Sequence, residues 1–149
     1  MSELDKVRCN RFLTLEDAAA LHGHLGPFLV IGYRIGLHAV EKLKPKNEFC
    51  LEVIAHLPAK TPYTCMLDGL QCSTKCTLGK GNIIHINSSE MKITIRHKCT
   101  GKTLTYLVKN LFIDKINNTN KIEHASALAK TTPINEICTI REKLNRESK

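Results

Sequence analysis

The spacing of apolar residues changes along the chain, and each change predicts an element. In "TLEDAAALH" (14–22), Thr14 with Asp17 three residues later approximates a capping box. It predicts a helix from about 15 to 22, stopped at Gly23. Pro27 suits the first position of a second helix, because its fixed φ is helical and its missing N–H is not needed there. That helix, "PFLVIGYRIGLHAVEKL", runs to about 43, before Pro45. Phe28, Ile31, Ile35, Ala39 and Leu43 form one apolar stripe; Leu29, Tyr33, Leu37 and Val40 form another. A helix apolar on so much of its surface belongs in the interior. Gly32 and Gly36 lie four apart on one face and admit a close neighbour.

The period then shortens to two. "EFCLEVIAH" alternates as a strand, "LPAKTPY" is a loop, and "YTCMLDGLQCST" predicts a helix from near Tyr63. "IIHIN" is a short strand after the "LGKGN" turn. "EMKITIRHKCTGKTLTYLVK" reads as a hairpin around Gly101. "KIEHASALAK" and "PINEICTIREKLNR" read as helices, the second opened by Thr132 and Pro133. No repeat, linker or low-complexity stretch interrupts residues 1–149. The expectation is a single α+β domain, with a buried central helix packed on a mixed, largely antiparallel sheet.

The 149 residues are enough for one ordinary core. No apolar run reaches the 18 or so residues of a membrane span. "MSELDKVRCNRF" lacks the pattern of a signal peptide, so a cytoplasmic protein with reduced thiols is expected. Seven cysteines, an odd number, argue against a fully paired disulfide framework. The net charge of +8 permits an anionic partner without selecting one. The chain has no Trp, and its few aromatics do not cluster among basic residues, so nucleic acid is not an expected partner.

Candidate chemistry sits in two stretches. "HGHLGPF" (22–28) holds His22 and His24, either metal ligands or polar residues of a turn. On a helix, Cys65, Asp68, Cys72 and Cys76 are spaced 3, 4 and 4 apart and share a face. That face is either a metal or thiol site or a set of small buried hydrophobes, and a helix ending near Ser73 would leave Cys76 out of line. No CxxC is present. "TLGKGN" is a tight turn or an anion-holding nest, and it is not a Walker loop.

Together, "HGHLGPFLVIGYRIG" and "CMLDGLQCSTKCTLGKGNI" resemble the E-subunit family of formylmethanofuran dehydrogenase. The matching residues are His22, Gly23 and His24; Cys65, Asp68 and Gln71; Cys76 and Thr77; and Gly79, Lys80, Gly81 and Asn82. The likeness covers roughly residues 14 to 110. Leu25-Gly26-Pro27 stands where the family often has Cys-Pro-Gly, and Lys75 where it usually has Gly. The C-terminal zinc ribbon of longer members is missing. The resemblance implies an α+β core, a homodimer and a His/Cys pocket able to hold zinc through His22, His24, Cys65 and Cys76. Within it, Cys65, His24 and Asp68 are the candidate catalytic groups, and Lys80 and Asn82 the candidate cofactor contacts. It also implies one-carbon metabolism beside an oxidoreductase whose molybdenum or tungsten pterin belongs to other subunits. Three functions remain open: a zinc-dependent enzyme, an accessory component of that larger complex, or a metal-free thiol enzyme. The last would need the Cys65 thiol pKa to be lowered at its helix N-terminus, with a histidine as base.

Overall fold

The structure, a computed structural model, describes residue 3 and residues 7–144. Residues 1, 2 and 4–6 of the N-terminal stretch and residues 145–149 lie outside the described residues. The elements in chain order are α1 (Leu15–His22), α2 (Pro27–Leu43), β1 (Leu51–Leu57), α3 (Cys65–Thr74), β2 (Ile83–Asn87), β3 (Lys92–His97) and β4 (Lys102–Val108). After these come α4 (Asn110–Asn117), α5 (Ile122–Thr131), α6 (Ile134–Ile137) and β5 (Cys138–Leu144).

The five strands form one sheet in the order β2-β1-β3-β4-β5. Only β1 and β2 run parallel, joined through α3, as parallel neighbours require a crossover. The other pairings are antiparallel. Along β1, β3 and β4 buried residues alternate with half-exposed ones, so one face of the sheet carries the core. Val53, Ile93, Ile95 and Leu104 there share a cluster with Ile31, Ile35 and Ala39 of α2. The architecture is the α+β fold that the pattern predicts. Among the described residues no helix is long and apolar enough to cross a membrane.

Local signals set the helix boundaries. Thr14 and Asp17 close the capping box in both directions. Pro27 opens α2, and Gly26 ahead of it offers no side-chain cap. The two glycines of α2 have a partner within the same chain. A Cβ on Gly32 would collide with the Met66 carbonyl of α3, and one on Gly36 with Ser73 Oγ. Gly69 answers from α3, where a Cβ would strike the Leu29 carbonyl. At Gly32 and Gly69 the two backbones therefore meet with no side chain between them.

Three expectations need correction. Residues 48–50 form a 3-10 turn, and the strand starts at Leu51. Residues 110–117, given no element by the pattern, form α4. The predicted last helix is short: after Ile137 the chain becomes β5, antiparallel to β4. Arg141, Glu142 and Lys143 are good helix formers, but here they lie on an edge strand, where charge blocks further pairing. Lys102 of β4 meets Glu142 at 3.2 Å.

Candidate functional site

The corner begins where α1 ends. Gly23 takes φ +109°, a left-handed conformation that glycine adopts without a Cβ clash, and its N–H closes on the Ala19 carbonyl. The chain then reverses over four residues to start α2. His22 and His24 flank this turn with ring centroids 4.9 Å apart. His24 lies beside Gly26 and the Ile122 side chain of α5. His22 Nδ1–H donates to Asp68 Oδ2 at 2.6 Å, linking residues 46 apart in sequence. Gln71 Nε2 reaches the other carboxylate oxygen at 3.5 Å. Asp68 sits in the first turn of α3, where the positive end of the helix dipole favours a carboxylate.

Cys65 is the first residue of α3 and half-buried. Burial, and then the Asp68 charge, push its thiol pKa up. Burial, and then the Asp68 carboxylate in the same first turn, thus act against the lowering expected at a helix N-terminus. Cys72 faces away from the turn, buried with Ala18 and Leu29. Cys76 does not join Cys65. The ten residues of α3 span about 15 Å, and Cys76 lies past the far end. It is fully buried, and its thiol points to the Leu51 carbonyl at 3.6 Å. The helix length separates it from Cys65, and the structure places it in the core.

The two expected cofactor contacts, Lys80 and Asn82, lie at one turn. Asn82 is buried; its Oδ1 accepts from Thr77 N at 2.8 Å and its Nδ2 donates to the Glu48 carbonyl at 3.1 Å. Both ends of the amide thus hold backbone, which makes Asn82 a turn clamp. "TLGKGN" is a 3-10 turn over Leu78–Lys80 with Gly81 at φ +71°. Lys80 Nζ donates to Thr77 Oγ1 at 3.0 Å on an exposed surface.

The donor chemistry of the corner suits zinc. With Nδ1 of His22 held by a carboxylate, its Nε2 lone pair is free, the usual orientation of a metal-binding histidine. The 4.9 Å spacing is short enough for both rings to serve one ion at about 2.0–2.1 Å from each nitrogen. Among the described residues, no group of three or more His, Cys, Asp or Glu side chains is arranged to hold a metal ion.

On the other side of Asp68 is a pocket of about 230 Å³, lined among others by Thr64, Leu67, Gln71, Ile83 and His85. His85 escaped the sequence pattern; its ring bonds the Leu57 carbonyl at 3.0 Å. Only the pairing of β1 with β2 brings it there, and no local motif marks it. A second feature missed is the approach of Cys50 to Cys99, with sulfurs 3.9 Å apart.

Over 79 residues the chain is 33% identical to a probable S-adenosyl-L-methionine-binding protein of Archaeoglobus fulgidus. The match takes in 52% of this chain and 22% of that protein, so the chain spans about a fifth of that relative's length. The fold matches the crystal structure of a tungsten formylmethanofuran dehydrogenase FmdE-like protein from Syntrophus aciditrophicus. The TM-score is 0.61 at 17% identity, covering 91% of this chain and 74% of that one. At this identity the likeness concerns the fold. A family model described as "FmdE, Molybdenum formylmethanofuran dehydrogenase operon" matches residues 21–146, from the residue before His22 to beyond β5, and the chain belongs to that family.

Proposed function

We propose that the chain is a metal-binding FmdE-family protein whose site is the corner of His22, His24 and Cys65, with Asp68 as a positioning residue. The observation that carries this reading is the 2.6 Å bond from His22 Nδ1 to Asp68. It fixes the tautomer and aims Nε2 away from the carboxylate. His24 supplies the second nitrogen and Cys65 the soft third donor, a set suited to zinc. Bound zinc with an open fourth position supplies Lewis acidity and lowers the pKa of a coordinated water. Asp68 holds His22, Gln71 braces Asp68, and Ile122 packs beside the turn that carries His24. The raised thiol pKa of Cys65 weighs against a metal-free thiol enzyme.

The operon named in the family's description supports a second reading. In it the chain serves a larger formylmethanofuran dehydrogenase-type oxidoreductase, with the pterin metal held by other subunits. A homodimer is part of either reading, supported by Ile84 and Ile86 exposed on the edge strand β2; sedimentation of the pure chain tests it. Elemental analysis of protein purified without chelator tests the metal site. The wild type should hold about one zinc per chain, His22→Ala should hold none, and Asp68→Asn should bind about 10–100-fold more weakly. A wild type that takes up no zinc in equilibrium dialysis rejects the site.

A further inference from the structure

A second pair of thiols lies away from this corner. Cys50 ends the 3-10 turn before β1, and Asn47 caps that turn by accepting from Phe49 N at 2.9 Å. Cys99 is in the β3–β4 turn. The β1–β3 ladder extends one step past its paired residues, because Lys98 N donates to the Cys50 carbonyl at 2.7 Å. That step brings Cys99 Sγ within 3.9 Å of Cys50 Sγ, across 49 residues of sequence. The turn is held from beneath: the buried His97 ring accepts from the N–H groups of Cys99 at 3.2 Å and Thr100 at 3.3 Å. Cys99 is exposed and Cys50 half-exposed, so both sulfurs are open to a reactant. All seven cysteines are free thiols in this structure.

We propose that Cys50 and Cys99 form a dithiol–disulfide exchange site that reacts with anionic low-molecular-weight disulfides. Cys50 is the attacking sulfur. A hydrogen bond from the Asn47 backbone, then one from the Cys99 thiol and the charge of Lys46, hold its pKa below the usual thiol range. Its bond to Cys50 holds the Cys99 pKa up, so Cys99 keeps its proton and serves as the second thiol. Among the cysteines described above, Cys65, Cys72 and Cys76 are all pushed the opposite way from Cys50, chiefly by burial. Lys46 and Lys98 give the surroundings a positive charge that favours an anionic reactant.

The exchange balances without another reactant. The Cys50 thiolate attacks one sulfur of R–S–S–R, forming Cys50–S–S–R and releasing one R–S⁻. Cys99 then loses its proton and attacks Cys50 Sγ, which closes the Cys50–Cys99 bond and releases the second R–S⁻. The two protons lost by the protein thiols go to the two leaving groups. The protein pair is oxidised by two electrons and the small disulfide is reduced to two thiols. Closing from 3.9 Å to a bond of about 2.0 Å needs side-chain rotation and a small shift of an exposed turn.

The test incubates the reduced full chain with oxidised glutathione, alkylates the remaining thiols and maps the peptides. Wild type should lose two of its seven free thiols as a Cys50–Cys99 link and recover both with dithiothreitol. Cys99→Ser should accumulate a glutathione adduct on Cys50. Cys50→Ser should react at Cys99 more slowly than Cys99→Ser reacts at Cys50, because only Cys50 has the Asn47 backbone hydrogen bond that lowers a thiol pKa. Adducts scattered over Cys9 and Cys99 with no Cys50–Cys99 link would overturn the site, and equal rates in the two variants would overturn the assignment of roles. An uncharged probe, bis(2-hydroxyethyl) disulfide, should react more slowly than oxidised glutathione at low salt, with the gap closing at high salt. Equal rates at low salt would overturn the preference for anions.

Discussion

At its N-terminal end α3 carries Cys65 and Asp68, and the carboxylate reaches across to His22. At its C-terminal end the chain turns through Lys75 at φ 63° and buries Cys76 beneath β1. The residue types at the two ends are similar, and their partners are not. At the first end, side chains meet other titratable side chains and leave a ring nitrogen open. At the second, Thr74 Oγ1 bonds the Leu70 carbonyl and the Cys76 N–H, while Asn82 fastens Thr77 to Glu48. A polar group bound to backbone maintains architecture. One bound to another side chain, with a donor atom to spare, can act on something that arrives.

Gly32→Leu should break both ends together. The added side chain meets the Met66 backbone, which cannot rotate away, and overpacking of this kind costs about 3 kcal/mol. Chemical denaturation should show that loss, along with lower zinc content; loss of zinc at full stability would mean the ends are independent. Asn82→Ala should weaken only the C-terminal end, by about 1 kcal/mol, because it leaves the part-buried Thr77 N–H and Glu48 carbonyl without their partner. Its zinc content should match wild type. Cys76→Ala and Cys65→Ala make the sharpest contrast. The first should cost about 1 kcal/mol with zinc retained; the second should change stability by under about 0.5 kcal/mol with zinc reduced. A Cys76→Ala protein that loses zinc would join the two ends functionally.

The smallest effect is one of pH, and it belongs to neither end. His38 of α2 bonds the buried Tyr106 hydroxyl at 2.6 Å. Burial, and then the charge of Lys42, hold its pKa below the ordinary 6.5, while Glu41 opposes them weakly. The unfolded chain therefore takes up this proton first on acidification. Stability from His38 is full above about pH 6.5, falls as pH drops below that value, and levels off below the folded pKa. Denaturation midpoints at pH 7.5 and 5 should differ less in His38→Gln than in wild type; an equal difference would place the acid sensitivity elsewhere.

What could be read from the sequence was mostly local. The Thr14–Asp17 box, the stop at Gly23 and the start at Pro27 each depend on residues within a turn of one another. They fixed α1 and α2, and with them the His22–His24 turn. The partners of α2's glycines were not visible, because Gly69 is an ordinary residue until Gly32 is laid against its helix. A helix ending near Ser73 already put Cys76 out of line, but its place beneath β1 follows only from the folded chain. β5 was missed because Arg141 to Lys143 favour helix, and only β4 makes them a strand. Cys50 and Cys99 lie in separate elements, and only the β1–β3 register shows them together.

The bare crossing of α2 and α3 also sets which parts of the molecule open. Their contact is made by main chain at Gly32 and Gly69, so no side-chain rotation can loosen it by degrees. Amide hydrogens on either side of the crossing should therefore exchange with solvent only when the whole domain unfolds. β2 and β5, each paired along one side only, can fray alone. The slow-exchanging amides would then outline a cross of two helices, with the histidine turn at one arm's tip and the faster strands at the sheet's two margins.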